Sequence, residues 1–283
     1  MDINVQIRGE SMDAVAVPPQ TYDDLIELIT ASHNHLPKRL RDIARFALAN
    51  PEKMALDTLA ELAESADSNP STMVRFAKQL GYNGFSQLQN VFRDRLRGNW
   101  ASYESRLTDL NESSSEDILD SIAMSAARSA MAMRESLNKA DAKAAAMRIA
   151  KADIVWLAGS GRTEGVATYL SYMLTRIGIM NRLISLSPSQ SLQELNLAGE
   201  NDVLCAFSFM PYSDVTIALV DAARRRDLDC ICITDTEISP LNQGIRLFLK
   251  EEDYAGFRSL TASMNIAQYL AIEAGILKRS MKV

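Results

Sequence analysis

The chain has 283 residues, 47% hydrophobic and 23% charged, with a formal net charge of −6. That length accommodates two domains that each bury a core, and the composition is that of a folded globular protein rather than a disordered one. No apolar run reaches the ~20 residues a membrane helix needs, which removes a membrane partner from the expectations. The opening MDINVQIRGESMD has no basic-then-apolar leader, so a cytoplasmic location is expected.

Residues 1–20 read as a flexible lead-in that ends in Pro18-Pro19. Helices are predicted over Tyr22–Ser32 and Lys38–Ala49, the second with Leu40, Ile43, Ala44 and Ala47 on one face. Asn50-Pro51 stops it. His33-Asn34-His35 spells a nuclease triplet, but the ββα context is missing and a surface turn is expected.

Thr58–Leu80 then predicts two short helices joined by a tight turn. Leu59, Leu62, Ala63 and Ala66 form one apolar face, and Thr58 with Glu61 has the spacing of a capping box. Asp67-Ser68 is the turn. Asn69 suits an N-cap, with Pro70 at the first helical position, where its missing N–H costs nothing. The second helix buries Met73, Phe76, Ala77 and Leu80, and Gly81 is its expected C-cap. Its other face carries Ser71, Val74, Arg75 and Lys78, with Thr72 at the flank. Arg pairs bidentately with guanine, and Ser or Thr reaches base edges or phosphates, so this face suits a DNA major groove. An ordinary helical hairpin with a solvated polar face has the same periodicity. The candidate DNA-binding residues are Thr58, Asn69, Ser71, Thr72, Arg75 and Lys78.

After a turn at Tyr82-Asn83-Gly84, a helix over Ser86–Leu96 is predicted to press Phe85, Leu88, Phe92 and Leu96 against this pair. Arg93, Arg95 and Arg97 fall on its outer side, where phosphate contact and plain solvation are both open. Charge is distributed to match. Residues 1–35 carry −5, residues 36–97 carry +3 and residues 98–283 carry −4. A segment of +3 is modestly basic, so tight binding to DNA would take two or more copies.

The run Leu62-Ala63, Asn69-Pro70-Ser71-Thr72, Val74-Arg75-Phe76, Leu80-Gly81-Tyr82 and Gly84-Phe85 resembles the N-terminal helix-turn-helix of the RpiR/MurR family of bacterial transcriptional regulators, over about residues 20–97. Asn69 stands where that family more often has Ser, and both cap well. The resemblance implies a double-stranded DNA operator as partner and a second domain of the sugar-isomerase (SIS) type.

Residues 98–116, with the acidic, serine-rich NESSSED, read as a linker. Helices follow at about Ile118–Asn138 and Asp141–Lys151. Short unbroken apolar runs then appear at Ile154–Ala158, Leu183–Leu186, Val203–Phe207, Cys230–Ile233 and Ile245–Leu249, separated by helical segments. Unbroken runs suit strands covered on both faces, as in a parallel sheet. A final helix is predicted over Ser259–Lys278, with Ile266, Tyr269, Leu270 and Ile276/Leu277 inward. Cys205, Cys230 and Cys232 lie in the apolar runs and are expected to be buried reduced thiols; no zinc spacing is present and no metal is expected. The fold class is therefore an all-α helix-turn-helix domain (21–97) and an α/β SIS domain (117–283) with a five-stranded parallel sheet flanked by helices.

In such a sheet, ligands bind beyond the carboxyl ends of the strands. Three loops there are rich in hydroxyls: Gly159-Ser160-Gly161-Arg162-Thr163, Ser208-Phe209-Met210-Pro211-Tyr212-Ser213, and Thr234-Asp235 with Ser239-Pro240-Leu241 following. The first precedes a helix, whose N-terminus favours an anion such as phosphate; a tight turn that binds nothing is the plainer alternative. A dinucleotide fingerprint would need Gly at Glu164, and no acidic residue ends the next strand, so no cofactor is expected. The loops resemble those with which SIS domains grip phosphosugars. Ser160 and Thr163 match the first loop, Ser208 and Ser213 match the ends of the second, and Met210-Pro211 replaces its middle Ser-Gly. Ligand-binding candidates are Ser160, Gly161, Thr163, Ser208, Ser213 and Thr234.

Aldose–ketose isomerisation needs a base beside a carbonyl and usually a ring-opening group, for which His is well suited. No histidine follows His35, and Glu194 and Glu237 are the candidate bases. Binding without turnover is the expectation, and a phosphosugar isomerase with an accessory helical domain is the alternative. The resemblance further implies a homodimer or homotetramer.

Overall fold

The computed structural model describes residues 17–98, 107, 110, 115–185 and 187–281. The chain divides into two compact units after Ala101. Most of the lead-in and most of the 98–116 linker lie outside the described residues.

The first unit is helical: α1 (Tyr22–Ser32), α2 (Lys38–Ala49), α3 (Pro51–Leu56), α4 (Leu59–Ser65), α5 (Pro70–Gln79) and α6 (Phe85–Gly98). Leu25, Ile29, Leu40, Ile43, Met54, Leu62, Met73, Phe76 and Phe92 are fully buried and form its core. Pro51 does end α2, but it also opens α3, a helix the sequence reading missed. The residue that cannot sit inside a helix is well placed at its first position. The His33–His35 turn is a short 3-10 helix, and His33 is buried rather than on the surface. At the far end of α5 the Tyr82 amide donates to Ala77 O (3.1 Å) and the Gly81 amide to Lys78 O (3.0 Å), with Gly81 at φ 89°. This is a Schellman C-cap, which needs the left-handed conformation that glycine adopts freely.

Two of the three outward arginines of α6 have internal work. Arg93 Nε donates to Ala55 O (2.9 Å), and Gln89 Nε2 donates to Met54 O (3.1 Å) and Asp57 O (2.9 Å). Together they satisfy carbonyls at the end of α3 that no helical amide reaches. The Arg95 guanidinium lies 4.4 Å from the centroid of the Tyr22 ring. The Arg97 side chain lies outside the described residues.

The second unit contains α7 (Ser115–Ser136), α8 (Lys139–Lys151), β1 (Val155–Gly159), α9 (Arg162–Arg176), β2 (Asn181–Leu183), α10 (Pro188–Leu195), β3 (Val203–Phe207), α11 (Asp214–Arg225), β4 (Asp229–Thr234), β5 (Ile245–Phe248), β6 (Asp253–Tyr254), β7 (Phe257–Arg258) and α12 (Thr261–Ser280). Five strands form a parallel sheet in the order β2-β1-β3-β4-β5. Val155, Leu157, Val203, Cys205, Phe207, Ile231 and Ile233 face a core shared with α8, α9 and α12. Alternate residues, Trp156, Leu204, Ala206, Cys230 and Cys232, are equally buried, and α11 packs against β3 and β4. Burial on both faces is why these strands are unbroken apolar runs. The three thiols are free and buried, and burial pushes that of Cys232 up to about 12.

Three expectations are corrected here. β2 occupies Asn181–Leu183, upstream of the predicted Leu183–Leu186, because this edge strand is short and partly polar. Tyr269 and Ile276 point outward from α12. Its inner face is made by Ile266 and Leu270 together with Ala262, Ala267, Ala271 and Ala274, whose small side chains let α8 pack closely. The β6–β7 hairpin was not predicted. It turns on Ala255 and Gly256, both at positive φ (49° and 79°), as a two-residue hairpin turn matched to strand twist requires.

Candidate functional site

In the first unit the caps of α4 and α5 are built as their spacing implied. Thr58 Oγ1 accepts from the Glu61 amide, while the Thr58 amide and hydroxyl both donate to Glu61 Oε2 at 2.8 Å. These bonds hold the Glu61 carboxyl below its ordinary range. Asn69 Oδ1 accepts from both the amide and the hydroxyl of Thr72 at 2.9 Å. Thr58, Asn69 and Thr72 thus direct their polar groups to helix ends. Met73, Phe76 and Ala77 are fully buried, whereas Ser71, Arg75 and Lys78 are exposed on the opposite side of α5. The structure brings these three together on one exposed face of α5.

In the second unit the strand order reverses between β1 and β3, and connections leave that point in opposite directions. Such a switch point opens a crevice at the carboxyl ends of the two strands. The first and second loops flank it. Gly161 takes φ 58°, and a Cβ on Gly159 would lie 2.5 Å from Thr163 O, so α9 starts hard against the end of β1. Gly159→Ala is therefore expected to displace the first turn of α9 and lower stability by about 1–3 kcal/mol. A thermal melt checks this; a melt identical to wild type would contradict the close approach.

Several predicted ligand hydroxyls are occupied within the fold. Thr163 is buried; its Oγ1 accepts from the Ser160 amide (3.0 Å) and lies 3.0 Å from Phe207 O, tying the first loop to the end of β3. Ser208, also buried, accepts from the Ser213 amide at 3.0 Å. Ser213 caps α11 through the Thr216 amide. Thr234 and Ser239 hydroxyls pair at 2.7 Å, fully enclosed. Ser160 is half-buried and Gly161 exposed at the crevice. Of the candidate bases, Glu194 Oε2 accepts from the Ser185 amide at 2.9 Å, and Glu237 is exposed. Glu251, which sequence reasoning passed over, accepts from the amide and hydroxyl of Ser263 (2.7 Å each) and so caps α12.

Sequence reasoning also missed the charged residues around the second loop. Asp235 accepts from the Met210 amide (2.8 Å) and the Tyr212 hydroxyl (2.7 Å), and Arg162 and Arg258 both donate to Met210 O. Arg162 and Asp235 sat inside loops already singled out, though neither was a candidate. Arg258 lies in the hairpin, for which there was no pattern signal.

The model of the rpiR-family helix-turn-helix domain matches residues 24–98, and that of the SIS domain matches residues 148–274. The chain thus joins an rpiR-family helix-turn-helix domain to a SIS domain. The HTH-type transcriptional regulator TTE0211 of Caldanaerobacter subterraneus subsp. tengcongensis is 24% identical to it, with 88% of each chain covered. YbbH of Bacillus subtilis, named likewise, is 24% identical over 88% of this chain and 87% of its own. Among solved structures, Vibrio vulnificus NanR complexed with ManNAc-6P superposes with a TM-score of 0.52 at 20% identity, covering 91% of this chain and 90% of NanR. That likeness shows a shared fold across both units. No helix among the chain's described residues is long and apolar enough to cross a membrane.

Proposed function

We propose that the protein binds a near-palindromic operator as a homodimer or homotetramer, and that a phosphosugar or related anionic metabolite in the strand-end crevice alters that binding without being converted. The observation that carries the reading is the surface of α5. Ser71, Arg75 and Lys78 stand exposed on a helix whose other side is locked into a core and whose N-terminus is capped. Two such helices related by a two-fold axis would enter successive major grooves about one turn of DNA apart. Self-association also raises the modest charge of one helical unit to a useful total, and the exposed stripe of Tyr269, Ile272 and Ile276 on α12 supports it.

Support for an anionic sugar comes from the switch-point crevice beside the N-terminus of α9 and from NanR, which shares the fold and was captured with ManNAc-6P. Support for sensing without turnover comes from the carboxylates: Glu194 and Glu251 are bonded to backbone amides, and no histidine follows His35. Ligand binding would bias two spacings of the reading helices with a coupling of ~1–3 kcal/mol.

Three measurements on the full chain test the reading: fluorescence anisotropy with promoter fragments, thermal shift against hexose phosphates, N-acetylhexosamine phosphates and sugar acids, and an aldose–ketose product assay. Operator binding, a ligand-dependent change in it and no product are expected. A protein that ignores DNA and converts a sugar phosphate would instead be an isomerase with an accessory helical domain.

A further inference from the structure

The long first helix of the second unit turns hydroxyls inward and apolar side chains outward. On the inner side of α7, Ser125 and Ser129 are buried; Ser125 Oγ donates to Asp253 O at 2.9 Å, and Ser129 Oγ accepts from the Glu252 amide at 2.9 Å. The apolar residues Leu119, Ile122, Ala126, Ala130, Met133 and Leu137 recur at intervals of three and four, the spacing of a seam between paired helices. At the N-terminal end of this seam Leu119 is 68% exposed and Ile122 49%. Its C-terminal end is hollow. Met133 and Leu137, with Ile266 and Tyr269 of α12, line an apolar cavity of about 300 Å³, and the exposed Arg134 and Lys139 also line it. Glu116 and Asp120, exposed as well, stand within one turn of Leu119. None of these four charges has an ion-pair partner among the described residues.

We propose that a second copy of this chain covers α7, with its own α7 running antiparallel across a two-fold axis near Ala126. This inference rests on the homo-oligomer of the reading above and names the surface that builds it. An interface of two identical patches must be self-complementary, and this helix carries both halves of the match. Rotation about Ala126 sets Leu119 of one copy opposite Met133 of the other and Ile122 opposite Ala130, so each large side chain meets the cavity or a small residue. The rise from Leu119 to Met133 is ~21 Å, and both ends of the seam engage together. Glu116 and Asp120 then arrive at the end that bears Arg134 and Lys139, acid against base on either side of the axis. Tyr269 belongs both to the cavity wall and to the exposed stripe of α12, which makes the two apolar surfaces continuous. Pairing removes from water the apolar area that a single copy leaves open.

Sedimentation equilibrium of the full chain tests this. The wild type should sediment as a dimer or a tetramer. Leu119→Glu and Ala126→Glu should each raise the dissociation constant of the pair by about thirtyfold or more, since two-fold symmetry introduces every charge twice. Glu116→Arg and Arg134→Glu should each weaken association, and the two combined should restore it. The two residues lie too far apart along α7 to pair within one copy, so restoration reads a contact between copies. Circular dichroism checks that every variant keeps its helices. Should Ala126→Glu not fold, Leu119→Glu, at an exposed side chain, carries the test alone. An oligomer unmoved by Leu119→Glu and by both single reversals would overturn this proposal and leave the homo-oligomer standing on another face, such as the stripe of α12. Failure of the double reversal to restore association would overturn the antiparallel pairing. A wild type that stays monomeric at every concentration would overturn both this proposal and the homo-oligomer it rests on.

Discussion

Arg75→Ala is expected to weaken operator binding by about 1–3 kcal/mol, roughly 5- to 150-fold, and to relax specificity at one base pair. The guanidinium is exposed on α5 between Met73 and Phe76, which are fully buried, so the backbone position of Arg75 is held by its neighbours in the core. Removing the side chain therefore takes away a reading group and leaves the helix in place; stability should change by no more than about 0.5 kcal/mol. Lys78→Ala should behave differently. A point charge on phosphate lowers affinity for every sequence alike and flattens the salt dependence by about one unit of slope. Anisotropy titrations over a range of salt concentrations, with cognate and single-substituted fragments, separate the two. An Arg75→Ala protein with undiminished affinity for the cognate fragment would remove this residue from the interface.

Asp202→Ala should destabilise the second unit by about 3–5 kcal/mol, a large part of the 5–15 kcal/mol that a domain typically has. The side chain of Asp202, buried just before β3, holds three donors at once. Oδ1 accepts from the Ile154 amide (2.9 Å), and Oδ2 accepts from Trp156 Nε1 (2.8 Å) and the Gly199 amide (2.9 Å). Alanine would leave all three without their acceptor; the Trp156 Nε1–H is buried and the two amides partly so, and a buried donor so orphaned costs about 1–3 kcal/mol before water or relaxation relieves it. Asp202→Asn should also be costly, because an amide nitrogen replaces one of the two accepting oxygens. A urea melt followed by the fluorescence of Trp156, in a Trp100→Phe background, reads the loss directly. A shift below about 1 kcal/mol would mean that the three donors find other partners.

The elements that sequence reading placed to the residue were α1, α2 and β3, each bounded by strong local signals. Thr21 caps α1, Asn50-Pro51 ends α2, and β3 is a clean apolar run between polar turns. The caps at Thr58, Asn69 and Gly81 were legible for the same reason, since a cap involves residues within a few positions of one another. Reading failed where one residue type has two uses. Pro51 both stops α2 and starts α3. Alanines on α12, weak markers of a buried face, took the core positions that the larger Tyr269 and Ile276 were expected to fill. For the arginines of α6 phosphate contact and plain solvation were both open, and neither foresaw the carbonyls of α3 and the ring of Tyr22, which receive Arg93 and Arg95 and belong to elements distant in the chain.

The sequence by itself determined the two-part architecture, the parallel sheet, the exposed polar face of α5 and the three hydroxyl-bearing loops. Each follows from periodicity, capping or composition over a short stretch. Only the tertiary structure decided which polar groups at the crevice are already committed and which charges gather there. Thr163 is bonded across to Phe207, Asp235 reaches back to Met210, and Arg258 arrives from a hairpin to share that residue's carbonyl with Arg162. The first pair meets because β1 lies beside β3 although β2 comes between them in the chain, and the others because loops and a hairpin distant in sequence converge at the same strand ends, relations that no local pattern of residues encodes.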